Sequence, residues 1–79
     1  MVGKRSRIWA VLAPGGSLTP EVVTQACDGV RGVVAVSNAY QLAPFADALV
    51  SGDSAWWHAN PEALKFRGLK YSAGLVKGV

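Results

Sequence analysis

Cysteine and histidine are nearly missing from this sequence, with one residue of each. Cys27 has no second cysteine for an internal disulfide, and with His58 it makes no spacing that resembles a zinc site, so neither metal nor cofactor is expected. A chain without disulfides suits a reducing, cytoplasmic setting. Long apolar runs are missing as well. Residues 8–13 and 33–36 are apolar, yet both fall far short of the roughly 20 residues that carry a helix across a bilayer, and no membrane segment is expected. Lys4, Arg5 and Arg7 ahead of the first run imitate a secretion signal, but the run breaks at Pro14-Gly15-Gly16, unlike the continuous core of such a signal. Internal repeats and low-complexity tracts are absent too, and no linker divides the chain.

What is present describes one small domain. A chain of 79 residues cannot divide its buried surface between two cores. Residues 1–79 are therefore read as a single domain, with 73–79, which hold two glycines and a lysine, as a partly frayed tail. The composition is 51% hydrophobic with three Trp, two Phe and two Tyr, enough for a core without metal or disulfide. The net charge of +3 is unevenly placed: Lys4, Arg5 and Arg7 lie at the start, Lys65, Arg67, Lys70 and Lys77 near the end, and the acidic residues mostly between. If the ends converge they form a basic face for an anionic partner; otherwise they are solubilising charge. With five acidic residues the electrostatic term is too small to predict direct, specific nucleic-acid binding.

The order of residues predicts a strand–loop–helix–strand unit. Residues 7–13 read as a first strand, buried on both faces, that ends at Pro14-Gly15-Gly16. Thr19-Pro20-Glu21 then has the grammar of a helix start: a capping hydroxyl, a fixed φ at the first helical position and an acidic side chain for the helix dipole. The helix is expected to reach Asp28 or Gly29, with Val22, Val23, Ala26 and Cys27 as its apolar stripe and Cys27 a small core residue. The β-branched run 33–36 reads as a central parallel strand beside the first. Residues 38–45 predict a short helical turn or loop, 47–51 a third strand, and Asp53 or Ser54 a helical turn carrying Trp56 and Trp57. Asn60-Pro61-Glu62 starts a short helix that stops at Gly68, and 69–72 predict a last strand. The fold class is thus α/β, a Rossmann-like βαβ unit in two or three layers, with a short, mostly parallel sheet of three or four strands and two to four short helices.

Candidate functional residues fall into two groups. In the loop Gly15-Gly16-Ser17 the glycines let backbone N–H groups approach an anion ahead of a helix start, at the strand ends where open α/β sheets bind ligands. The loop lacks both dinucleotide and P-loop spacings, so a plain structural turn is the competing reading. Trp56 and Trp57, about 100° apart on a helix, predict one core ring and one anchor at a binding surface, with two packed rings as the competing reading. With basic residues nearby, Arg5, Arg7, Trp56, Lys65, Arg67 and Lys70 are the expected contacts with a protein partner. Catalysis finds no footing: Ser17 has no His–Asp pattern around it, and Asp47 and Asp53 fit a strand edge and a helix cap more simply than a carboxylate pair. No enzyme is expected. A truncated parallel sheet also predicts an exposed edge strand at which two copies pair into a homodimer.

Gly15-Gly16-Ser17-Leu18-Thr19, Val34-Ala35-Val36-Ser37-Asn38-Ala39-Tyr40, Leu42-Ala43-Pro44-Phe45-Ala46-Asp47 and Asp53 followed by Trp56-Trp57 together carry a resemblance. Over residues 8–72 the chain resembles the amino-terminal half of a family of phage and prophage proteins that look distantly like Rossmann-type glycosyltransferases. The resemblance implies a nucleotide or nucleotide-sugar site with Gly15, Ser17, Asn38 and Asp53 facing the ligand, to which the glycine loop itself adds Gly16. The family has Gly-Pro-Ser-Leu where this chain has Gly15-Gly16-Ser17-Leu18, and its members continue further, so only half of such a site is expected. By size and apparent origin the chain also looks like an anti-CRISPR protein. That likeness implies a non-enzymatic inhibitor in the host cytoplasm that binds a backbone subunit of a type I CRISPR surveillance complex and hinders target DNA.

Overall fold

The computed structural model describes residues 7–79. Its strands are β1 (Trp9–Leu12), β2 (Gly32–Val36), β3 (Ala48–Val50) and β4 (Leu69–Tyr71), and its helices are α1 (Pro20–Cys27) and α2 (Ser54–Ala59). Two 3-10 turns, Ser37–Gln41 and Pro61–Lys65, complete the order. The strands form one sheet, β1-β2-β3-β4, with every neighbouring pair parallel. Parallel neighbours cannot be joined by tight hairpins, so each connection must cross the sheet and carries helix or 3-10 turn as it does. The two apolar runs read from the sequence lie side by side and run the same way, Ala10 opposite Val33 and Leu12 opposite Ala35.

The local signals act as expected where they rest on backbone chemistry. Thr19 caps α1 by accepting from the Val22 N–H at 3.2 Å, with Pro20 in the first turn and Glu21 beside it. Asp53 caps α2, its Oδ1 accepting from the Ala55 N–H at 2.9 Å. Asp47 ties the strand starts together at the other end of β3: its Oδ2 accepts from the Val33 N–H at 2.8 Å, and its carbonyl accepts from the Leu69 N–H at 3.0 Å.

All helical elements among the described residues cover one face of the sheet. Ala10, Leu12, Val33, Ala35 and Leu49, which alternate to that side, join Val23 of α1, Ala39 and Ala63 of the 3-10 turns, and Trp57 of α2 in a single cluster. Trp57 is the largest fully buried side chain, and its ring N–H donates to the Ser51 carbonyl at 3.1 Å. Val76 packs against the same cluster, so the stretch after β4 lies on this side although it forms neither strand nor helix.

The other face has no helix among the described residues. Trp9, Val11, Val34, Val36, Val50, Leu69 and Tyr71 point that way, and none belongs to the cluster. The sheet is therefore half of a two-layer structure, and the expectation that β1 is buried on both faces is corrected: its exposure alternates residue by residue. A run of apolar residues specifies that both faces dislike water, without specifying that the chain supplies a cover for each. The α1 stripe is corrected too. Val23 is buried and Cys27 partly so, while Val22 and Ala26 are exposed, because a helix of eight residues over a short sheet touches it along a narrower line than its apolar residues span.

Candidate functional site

The carboxyl ends of the strands gather the polar groups. Each of β2, β3 and β4 ends in a paired apolar residue followed by a serine: Val36, Val50 and Tyr71, then Ser37, Ser51 and Ser72. Ser37 and Ser51 hydroxyls lie 3.0 Å apart, and the Ser72 hydroxyl is buried with no partner among the described residues. Ser37 has φ of 49°, the one non-glycine residue in the left-handed region among those described. Such backbone costs on the order of 1–3 kcal/mol and concentrates at functional positions. It also turns the chain sharply off the sheet, so that Asn38 comes to the strand ends beside the loop after β1.

A crevice of about 200 Å³ opens there, lined by Pro14, Gly15 and Leu18 on one side and Asn38, Ala39, Gln41 and Leu42 on the other. Of the residues expected to face a ligand, Gly15 and Asn38 meet in it, while Gly16 and Ser17 stand exposed at the tip of the same loop. Asp53 is spent on its cap but connects to the site through Trp56, whose backbone N–H donates to the Asp53 carbonyl at 3.0 Å and whose ring N–H donates to Asn38 Oδ1 at 2.5 Å.

The glycines of this loop are not needed by the fold. Leu18 N–H donates to the Gly15 carbonyl at 3.2 Å, closing a turn whose middle residues, Gly16 and Ser17, both avoid positive φ. A turn of that kind accepts most residues. A Cβ built at Gly15 or Gly16 meets nothing within 4 Å. Among the described residues Gly16 and Ser17 make no hydrogen bond. By contrast, a Cβ at Gly32 would run into the Trp9 ring, and one at Gly68 would meet the Asp47 carbonyl and the Phe66 ring.

The residues expected to contact a protein partner divide. Arg5 lies outside the described residues. Arg7, Lys65 and Arg67 are exposed at the amino end of the sheet, where Lys65 and Arg67 join Tyr40, Pro44, Glu62 and Phe66 around an open crevice of about 320 Å³. Lys70 is turned inward, its Nζ donating to the Leu64 carbonyl at 2.7 Å. Trp56 is the half-buried member of its pair, held edge-on between Tyr40 and Trp57 at centroid distances of 5.9 and 5.0 Å.

Asp47 and Asp53 sit at opposite ends of β3 and form no carboxylate pair. Partial burial raises the Cys27 thiol above its ordinary pKa, which suits packing. Among the described residues no three His, Cys, Asp or Glu side chains come together as a metal site, and no helix is long and apolar enough to cross a membrane. Sequence reading passed over Ser37, Ser51, Gln41 and the half-exposed Trp9. A serine directly after β2 and after β3 is the available signal for the first two.

Fold and strand-end crevice together define a small α/β domain with a one-sided parallel sheet. Comparison with protein-family models, with curated proteins and with solved structures finds no match.

Proposed function

We propose that the chain is a binding half-domain for a phosphorylated ligand of the nucleotide or nucleotide-sugar class, gripped at the carboxyl ends of β1 and β2 and not chemically altered. The observation that carries this reading is the pair of glycines the fold does not require. A glycine without positive φ and without a crowding neighbour costs stability for nothing, unless something outside the chain approaches the backbone there. The unpartnered loop at Gly16 and Ser17 would meet the anionic end of the ligand, and Asn38, held by Trp56, would meet its polar flank. Thr19 and Glu21 already answer the α1 dipole, so the loop amides and not the helix axis would hold the charge. At about 200 Å³ the crevice is smaller than the ordinary range of ligand pockets and fits one end of such a molecule.

Calorimetric titration with UDP, ADP and UDP-glucose tests this. Binding that weakens about tenfold or more in Asn38→Ala and in Gly15→Val supports it; no heat at millimolar ligand removes it.

A second reading, inhibition of a type I CRISPR surveillance complex through a backbone subunit, draws on a different observation. Lys65 and Arg67 flank an open crevice with aromatic walls at the amino end, and Arg7 stands at the same end. Charge of this kind speeds encounter with an acidic surface and an aromatic crevice retains it. A pull-down of such a complex that is indifferent to Lys65→Ala with Arg67→Ala counts against it.

A further inference from the structure

The bare face of the sheet is the largest feature that neither reading uses. We propose that it is an interface between two copies of this chain, stacked face to face about a two-fold axis, and distinct from pairing of edge strands.

Three observations carry this. The face is apolar from edge to edge, with Trp9 49%, Val11 65%, Leu69 62% and Tyr71 53% exposed, and Val34 and Val36 partly exposed between them. Parallel sheets ordinarily have both faces covered, and here every helical element among the described residues lies on the other side. The face is also uncharged: the residues that β1, β2, β3 and β4 turn toward it are Trp, Val, Gly, Ala, Leu and Tyr, so a second copy brings no like charge against it.

Area fits a second copy. The exposed parts of Trp9, Val11, Leu69 and Tyr71 amount to roughly 500 Å² of apolar surface, so a self-complementary pair buries about 1,000 Å², the threshold for a specific though weak interface. Two sheets of this kind stack about 10 Å apart. Arg7 and Arg67 precede the two edge strands at one end of the sheet. An arrangement in which the strands of the two copies run in opposite directions keeps those arginines apart.

Sedimentation equilibrium of the full chain from micromolar to millimolar concentration tests the proposal. The expected result is a reversible dimer whose dissociation constant rises roughly 100-fold in Val11→Lys, because each charge enters a two-fold interface twice. Leu69→Lys, on the far edge strand, is expected to act alike, with unchanged circular dichroism in both. Tryptophan emission of the unaltered chain gives a reading independent of variant folding. Trp57 is buried and Trp56 half-buried within each copy, so a blue shift with rising concentration reports Trp9 leaving water. A chain that stays monomeric at millimolar concentration without that shift overturns the proposal. So does a dimer that Val11→Lys and Leu69→Lys leave intact, which would place the contact at a strand edge.

Discussion

The two ends of the sheet are made by the same strands, and they spend their unusual residues differently. At the amino end the fold uses what it has. The Asp47 carboxylate holds the start of β2 while its carbonyl holds the start of β4, Gly68 leaves room for that carbonyl, and Gly32 leaves room for the Trp9 ring. At the carboxyl end a Cβ built at Gly15, Gly16 or Gly52 meets nothing within 4 Å, and among the described residues Gly16 and Ser17 make no hydrogen bond and the buried Ser72 hydroxyl has no partner. Residues that a fold consumes explain themselves by packing. Residues that it leaves over, gathered at one end, ask for another explanation, and the proposed ligand at the strand ends would supply one.

This contrast can be broken by substitution. The largest loss is expected at Gly68→Ala, where the new methyl meets backbone that cannot swing aside: about 3 kcal/mol or more, read from denaturant unfolding. Asp47→Ala removes the acceptor of the Val33 N–H and is expected to cost about 1–3 kcal/mol. Gly32→Ala presses on the Trp9 ring, which is half-exposed and able to move, so the cost is smaller, about 1–2 kcal/mol, and tryptophan emission shifts red as the ring lifts into water. At the opposite end Gly15→Ala and Gly16→Ala are expected to leave stability unchanged or raise it by about 0.4–1 kcal/mol, since they restrict only the unfolded chain. A large loss at Gly15 or Gly16 would show that the loop glycines are structural after all.

Much of the fold was legible in the sequence because its signals are local. Thr19-Pro20-Glu21 and Asp53 announce helix starts through their own backbone bonds, and the β-branched run at 33–36 announces a strand. What was not legible depends on distant segments. Whether β1 is covered on both faces is decided by where helices tens of residues away come to lie. The same holds for Trp9, which sits in an apolar run and reads as core, yet lies on the uncovered side over Gly32. In the site, Gly15 was legible as a strand-end glycine and Asn38 through its resemblance, but their meeting follows from the left-handed turn at Ser37, which no residue type announces. Trp56 reads from the sequence as an anchor for a partner; that its half-buried ring also holds Asn38 is set by contact across 18 residues.

The most direct test is a nitrogen-15 amide spectrum of the chain titrated with UDP. Signals of Gly15, Gly16, Ser17 and Asn38 are expected to move together along one saturating curve while those of Gly32, Asp47 and Gly68 stay in place. Shifts confined to the amino end, or none at saturating nucleotide, would contradict the claim that the carboxyl end of this sheet is built for a ligand.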